Sequence, residues 1–262
     1  MGFLDRVKDT KRRAPRRIMV YGIHGIGKST FAAQAPEAVF IPCEDGLANI
    51  EAKAFPLATT YADVVACLNE LLTGEHKFKS VVIDTLDELE RLIHEKVCKE
   101  HRKDTIRDFG YGKGYAFVNA VWFELLRLVY RVREEKNMTV IFLAHAEIKR
   151  LDHPETESFD RFQPKLHKDA SAMVSEWCDD VLFVCKPMFT RKAGGTKDNP
   201  RKIGMSAEEA VMRTRETAAA MAKTRISAPI PDEIPLSWPV YADWAWNEGK
   251  NQLAQNATEE ME

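Results

Sequence analysis

The sequence predicts an α/β fold whose mostly parallel central sheet is covered by helices on both faces. Three observations lead there. Five short apolar runs, at 17–23, 38–42, 80–85, 139–144 and 180–185, are nearly continuous rather than alternating, the pattern of strands buried on both faces. Helix-like stretches separate them, so strand and helix alternate along the chain. The first run ends in a glycine-rich loop, Gly22-x-x-x-x-Gly27-Lys28-Ser29, placed between a strand and a helix as a phosphate-binding loop must be.

Each element follows in order. Residues 17–23 form the first strand and 31–35 a short helix that stops near Pro36. The run at 38–42 is the second strand and delivers Glu44 at its carboxyl end. Thr60-x-x-Asp63 opens a helix in which Val64, Leu68, Leu71 and Leu72 recur at helical spacing, with Gly74 as its stop. The run ending at Asp84 is the third strand. A long amphipathic helix is expected over about 86–100, then a glycine-rich break at 109–115 and a second helix through Arg133. Strands resume at 139–144, ending at His145, and at 180–185 after a mixed loop and a short helix. Beyond Lys186 the pattern becomes a Gly/Lys loop, short strands near 209–215 and 222–227, and a Pro-rich stretch over 228–239. These form a C-terminal strand or hairpin extension of the same domain. The expected organisation is a basic arm at 1–16, one domain over 17–240, and a short helix with an acidic tail at 241–262.

The loop carries the chemistry. Its glycines, Gly22, Gly25 and Gly27, let backbone N–H groups turn inward around phosphate oxygens at a helix N-terminus. Lys28 reaches the β- and γ-phosphates, the Ser29 hydroxyl is a Mg²⁺ ligand, and His24 and Thr30 complete the loop's contacts. Asp84 follows four apolar residues at a strand end, where a second carboxylate meets the Mg²⁺ shell. ATP and Mg²⁺ are therefore the expected ligands. Thr85, not Glu, follows Asp84, so the hydrolytic base comes from another element.

Glu44 is the candidate. The segment Phe40-Ile41-Pro42-Cys43-Glu44-Asp45-Gly46-Leu47 resembles the strand of RecA-type recombinases that ends in their catalytic glutamate. Lys223-Thr224-Arg225-Ile226-Ser227-Ala228-Pro229 resembles the Lys-x-Lys-Ile-x-x-Pro segment of the same family, whose two cations reach the neighbouring subunit's nucleotide. Arg225 replaces the second lysine and adds a bidentate fork. With His145 in the place of the polar sensor, residues 16–240 are similar to small phage-encoded ATP-binding proteins with a shortened RecA core, which act in single-strand annealing. The resemblance implies a RecA-like P-loop NTPase core, a homo-oligomer with composite sites, Glu44 activating water, His145 sensing the γ-phosphate, and Lys223 with Arg225 acting in trans. It also implies single-stranded DNA as a partner, and a single-strand-binding or replication protein as a further one. The polymerisation domain and C-terminal domain of RecA have no recognisable counterpart in the sequence.

Composition sets outer limits. The chain has 262 residues, 45% hydrophobic and 30% charged, and 38 basic against 40 acidic residues leave a net charge of −2. Global charge does not attract a polyanion, so nucleic acid must meet local patches. Residues 99–115 place Lys99, Arg102, Lys103, Arg107 and Lys113 among Phe109, Tyr111 and Tyr115, the basic and aromatic mix that single strands stack on. The segment from Met188 to Lys202 holds five basic residues and one acidic and reads as a mobile basic loop. The stretch at 1–17 holds seven basic and two acidic residues and is a further phosphate clamp or a solvated arm. Residues 147–168, at the place of a second DNA loop in the RecA resemblance, balance five of each sign and hold Phe159 and Phe162; they read equally as a stacking loop or as a lid over the nucleotide. Five widely spaced cysteines without a Cys-x-x-Cys pair are expected to be reduced thiols, with no metal site. No run of about 18 apolar residues or signal-peptide pattern occurs, so a cytoplasmic location without membrane contact is expected. A P-loop kinase of nucleotides or small molecules, an assembly or helicase-loader ATPase acting on proteins, and a nucleotide switch without turnover remain alternatives.

Overall fold

A computed structural model describes residue 7 and residues 14–152, 155–195 and 200–251, with the side chains of 190–204 excepted. The chain runs β1 (Arg17–Gly22), α1 (Lys28–Ala33), β2 (Ala38–Pro42), β3 (Lys53–Ala54), α2 (Tyr61–Thr73), β4 (Ser80–Asp84) and α3 (Leu86–His101). A 3₁₀ turn at Ile106–Phe109 leads to α4 (Lys113–Glu135), β5 (Thr139–Leu151), β6 (Phe159–Pro164), α5 (Lys168–Trp177) and β7 (Asp180–Cys185). Then follow β8 (Met188–Gly195), β9 (Pro200–Ser206), β10 (Val211–Arg213), β11 (Glu233–Pro235) and α6 (Trp238–Asn247).

The main sheet has the order β11-β10-β7-β1-β5-β4-β2-β3. The strands from β7 to β3 are parallel, and β10 and β11 add antiparallel at one edge. Strand periodicity splits the core in two. Met19, Tyr21, Ile41, Ile83, Val140 and Phe142 face α2, α3, α4 and α5, while Ile18, Val20, Phe40, Val82, Ile141 and Leu143 face α1 and α6. The apolar runs are continuous because both faces are covered. No helix among the described residues is long and apolar enough to cross a membrane.

Three expectations are corrected. The strand expected to end before His145 continues to Leu151, and its distal half pairs antiparallel with β6, from Ala146↔Pro164 to Leu151↔Phe159. The charge-balanced segment at 147–168 is therefore largely a hairpin rather than a loop. The basic segment from Met188 to Lys202 is not a loop throughout: its backbone forms the ribbon β8–β9, paired from Met188↔Ser206 to Gly195↔Pro200, with residues 196–199 outside the described ones. The strand expected near 222–227 shrinks to a single bridge, Val181↔Lys223. The strand expected near 209–215 is β10. Most of the basic arm at 1–16 lies outside the described residues.

One buried carboxylate ties distant parts of the chain together at the amino ends of the strands. Asp180, fully buried, accepts two hydrogen bonds from the Arg16 guanidinium at 2.6 and 2.7 Å, one from the Tyr241 hydroxyl at 2.5 Å and one from Thr224 Oγ1 at 2.7 Å. It also accepts the Arg225 backbone N–H at 3.2 Å. Arg17 pairs with the neighbouring Asp179 at 2.6 Å and stacks over Trp177. On α6, Trp238, Tyr241 and Trp244 are buried in the second core.

Asp180→Ala strands a mostly buried arginine and a buried tyrosine hydroxyl. It is expected to cost about 3–5 kcal/mol of stability, read as a lower urea midpoint, whereas exposed Glu95→Ala should stay within about 0.5 kcal/mol.

Candidate functional site

Parallel pairing brings the carboxyl ends of β1, β2 and β4, and of the half of β5 that ends at His145, to one edge. In register, Pro42 lies beside Asp84, Asp84 beside Leu143, and Gly22 beside His145. The loop Gly22–Ser29 leaves β1 at this edge and enters α1. Gly22 is required by close approach: a Cβ there would stand 2.6 Å from the Val184 carbonyl oxygen on β7. Gly27 caps α1 at φ 106°, a conformation that disfavours any side chain.

Lys28 is buried, and its Nζ donates to the carbonyls of Gly22 at 3.2 Å and Ile23 at 3.1 Å. Burial lowers its pKa, opposed by Asp84, Glu44 and Asp87. Ser29 Oγ donates to Asp84 Oδ2 at 2.8 Å. Asp84 is 3% exposed, and its Oδ1 is buried with no hydrogen-bond partner among the described residues. Burial raises its pKa, with Ser29 and Lys28 opposing. A hydroxyl, a carboxylate oxygen beside it and a second oxygen left unpaired form an all-oxygen donor set that fits Mg²⁺. When bound, that ion would neutralise developing charge on the β- and γ-phosphates.

Glu44 and His145 stand beside this pair. Glu44 lies just past β2, and burial raises its pKa, partly offset by His145. Its Oε1 is 3.9 Å from His145 Nε2. The ring of His24 in the loop lies 5.7 Å from that of His145, and Thr30 is exposed on α1. The expected loop residues, Asp84, Glu44 and His145 thus meet at one edge.

Two findings go beyond the sequence reading. Asp87, on the first turn of α3, accepts the His145 backbone N–H at 3.0 Å and bonds Nδ1 at 2.8 Å. Its hydrogen bond raises the His145 pKa, while the bonds from His145 outweigh burial and hold Asp87 low. A carboxylate three residues after Asp84 is an ordinary first-turn acid by sequence, and only the adjacency of β4 and β5 reveals its partner. The second concerns Lys223 and Arg225, which do not join the site. Lys223 Nζ donates to the Glu176 carbonyl, and Arg225 bonds Asp179 and the same carbonyl, each at 3.3 Å. They sit at the amino end of β7, roughly 15 Å along the strand from the loop edge.

Residues 99–115 span the end of α3, the 3₁₀ turn and the start of α4. Phe109 packs against His101 and Phe117, and Tyr115 stacks on His167 at 3.9 Å. Tyr111 alone of the three is fully exposed. It is held there by three successive positive φ angles, 64° at Gly110, 46° at Tyr111 and 72° at Gly112. Lys99, Arg102, Lys103, Arg107 and Lys113 are exposed around it.

The profile of a family described as an AAA domain matches residues 14–226. The SPbeta prophage-derived uncharacterized protein YorG of Bacillus subtilis (strain 168) is 24% identical over 173 residues, 64% of this chain and 50% of that protein. The chain thus spans about half the length of this curated relative. Among solved structures, that of the RadB recombinase aligns with a TM-score of 0.41 and 14% identity, covering 66% of this chain and 76% of that one.

Asp84→Asn removes a desolvated charge while keeping the Ser29 contact. The fold should hold its thermal midpoint, while fluorescent ATP titrated with Mg²⁺ should bind at least about tenfold more weakly and titrations in EDTA should change little.

Proposed function

We propose that this chain, which belongs to the AAA-domain family, hydrolyses Mg-ATP as a RecA-like protein that binds single-stranded DNA and promotes annealing or recombination. The observation that carries the ATPase reading is the Ser29–Asp84 contact, with one Asp84 oxygen left unpaired and Glu44 at the mouth of the same edge. In this reading Lys28 and the loop N–H groups hold the phosphates, Ser29 and Asp84 hold the ion, Glu44 receives the proton of the attacking water, and His145 reads the γ-phosphate.

The placement of Lys223 and Arg225 supports a composite site. Their distance from the loop keeps them from their own chain's nucleotide, and Arg225 is 55% exposed, so in this reading they are left to serve a neighbour's. The exposed Tyr111 amid five cations supports a strand of DNA stacked there. Of the three aromatics in that segment, Phe109 and Tyr115 are committed internally. The prophage-derived relative supports a phage origin, and with it action in the host cytoplasm.

The test is steady-state ATP hydrolysis with and without single-stranded DNA over a range of protein concentrations. Stimulation by DNA and a rate rising faster than protein concentration are expected. Lys28→Ala should abolish turnover, and Arg225→Ala should lower it about 10³-fold. Tyr111→Ala should weaken DNA binding by about 1–3 kcal/mol without altering DNA-free turnover. Turnover that ignores DNA, scales linearly and survives Arg225→Ala would overturn the assembly reading in favour of a self-contained P-loop enzyme.

A further inference from the structure

Asp87 is engaged more completely than a helix-capping acid needs to be. Oδ1 takes the His145 backbone N–H and Oδ2 takes ring Nδ1, so both the position and the rotation of the imidazole are fixed by one carboxylate that is itself 6% exposed. An ionised carboxylate only accepts, so Nδ1 carries the proton. The neutral ring then has its lone pair on Nε2, and Nε2 is the atom that faces Glu44. The gap of 3.9 Å closes by rotation of the Glu44 side chain or through one water.

Resting on the ATPase reading above, we propose that Asp87 is a positioning residue that sets His145 to take from Glu44 the proton released by the attacking water. The balance is simple. The water oxygen bonds to the γ-phosphorus, the bond to the β,γ-bridging oxygen breaks, and its electron pair leaves with ADP. The water proton passes to Glu44 and on to His145 Nε2, giving an ionised Glu44 and an imidazolium paired with the Asp87 carboxylate, and the imidazolium then gives that proton to bulk water so that both groups are reset for the next turnover. His145 thereby gains a chemical role beside γ-phosphate sensing. The charged or titratable groups that face it are Lys28 on α1, His24 in the loop, Glu44 after β2, Asp84 on β4, Asp87 on α3, and Lys165, whose Nζ lies 3.8 Å from Asp87 Oδ2. Lys28 opposes protonation of His145, and Asp87 and Glu44 favour it.

The test compares the full chain with Asp87→Asn, Asp87→Glu and Glu44→Gln. Asp87→Asn should lower kcat about 10²-fold while ATP affinity stays within about threefold, and Asp87→Glu should recover part of the loss. Nitrogen-15 spectra of the histidines, with the His145 signal assigned through His145→Gln, should show the neutral proton on Nδ1 in the parent and on Nε2 in Asp87→Asn. The acidic limb of the kcat profile should also move to lower pH in Asp87→Asn, because His145 must be neutral to accept a proton and loses the partner that favours its charged form. The relay is overturned alone if the parent turns over ATP and Asp87→Asn matches it, or if the neutral proton sits on Nε2 in the parent. It is also overturned if rate, ATP affinity and thermal midpoint fall together with the profile unmoved, the signature of a structural role. If the parent binds ATP without any turnover, the ATPase reading itself fails.

Discussion

Everything at the nucleotide edge depends on the parallel, in-register pairing of β2, β4, β5 and β1. A parallel sheet sends every strand's carboxyl end to the same side, and here β5 lies between β4 and β1. That order sets His145 beside Gly22 on one flank and places Leu143 against Asp84 on the other. The oxygens of Ser29 and Asp84, far apart in the sequence, then meet at 2.8 Å. The continuous burial of Val81, Val82, Ile83, Val140, Ile141 and Phe142 packs these strands between two apolar cores, one on each face of the sheet.

The opposite edge is built on a different principle. Asp179 and Asp180 at the start of β7 are a dense pair of charges away from the nucleotide, and three cations, Arg16, Arg17 and Arg225, are drawn to them. Burial of Asp180 is tolerated because its hydrogen bonds from Arg16, Tyr241, Thr224 and Arg225 replace lost water. The result fixes the segment carrying Lys223 and Arg225 to the sheet while leaving the Arg225 side chain largely exposed. For the composite site proposed above, the Arg225 guanidinium would have to exchange its 3.3 Å contacts with Asp179 and the Glu176 carbonyl for a neighbour's phosphate.

Much of this was legible in the sequence. Five strands were visible because burial on both faces leaves nearly continuous apolar runs, and the phosphate loop was visible because its glycines answer to backbone geometry. The capping box of Thr60 and Asp63 was equally plain. The β5–β6 hairpin was not. Residues 146–151 alternate small, charged and apolar side chains, and Ile148 is itself 61% exposed, so a two-stranded arm without a buried face has no apolar run to announce it. The ribbon β8–β9 was hidden by Gly and Lys, which are poor strand formers whose pairing here comes from each other's backbones. Asp87 and Asp180 were missed for a shared reason: each owes its role to strand order, which local pattern does not encode.

The β5–β6 hairpin is joined to the nucleotide edge through α3. His145 is the last β5 residue paired with β1 and stands at the foot of the hairpin, whose pairing begins at Ala146. Its carbonyl accepts the Lys165 backbone N–H at 2.8 Å where the chain returns from β6. Two residues on, the His167 N–H donates to Glu90, one turn beyond Asp87 on α3. One face of α3 thus holds both ends of the hairpin through carboxylates that follow directly from Asp84. Glu90 is buried, and that burial pushes its pKa up to about 7. Asp87 and Glu90 on α3 thus tie the hairpin to the nucleotide edge through hydrogen bonds of 2.8 to 3.0 Å.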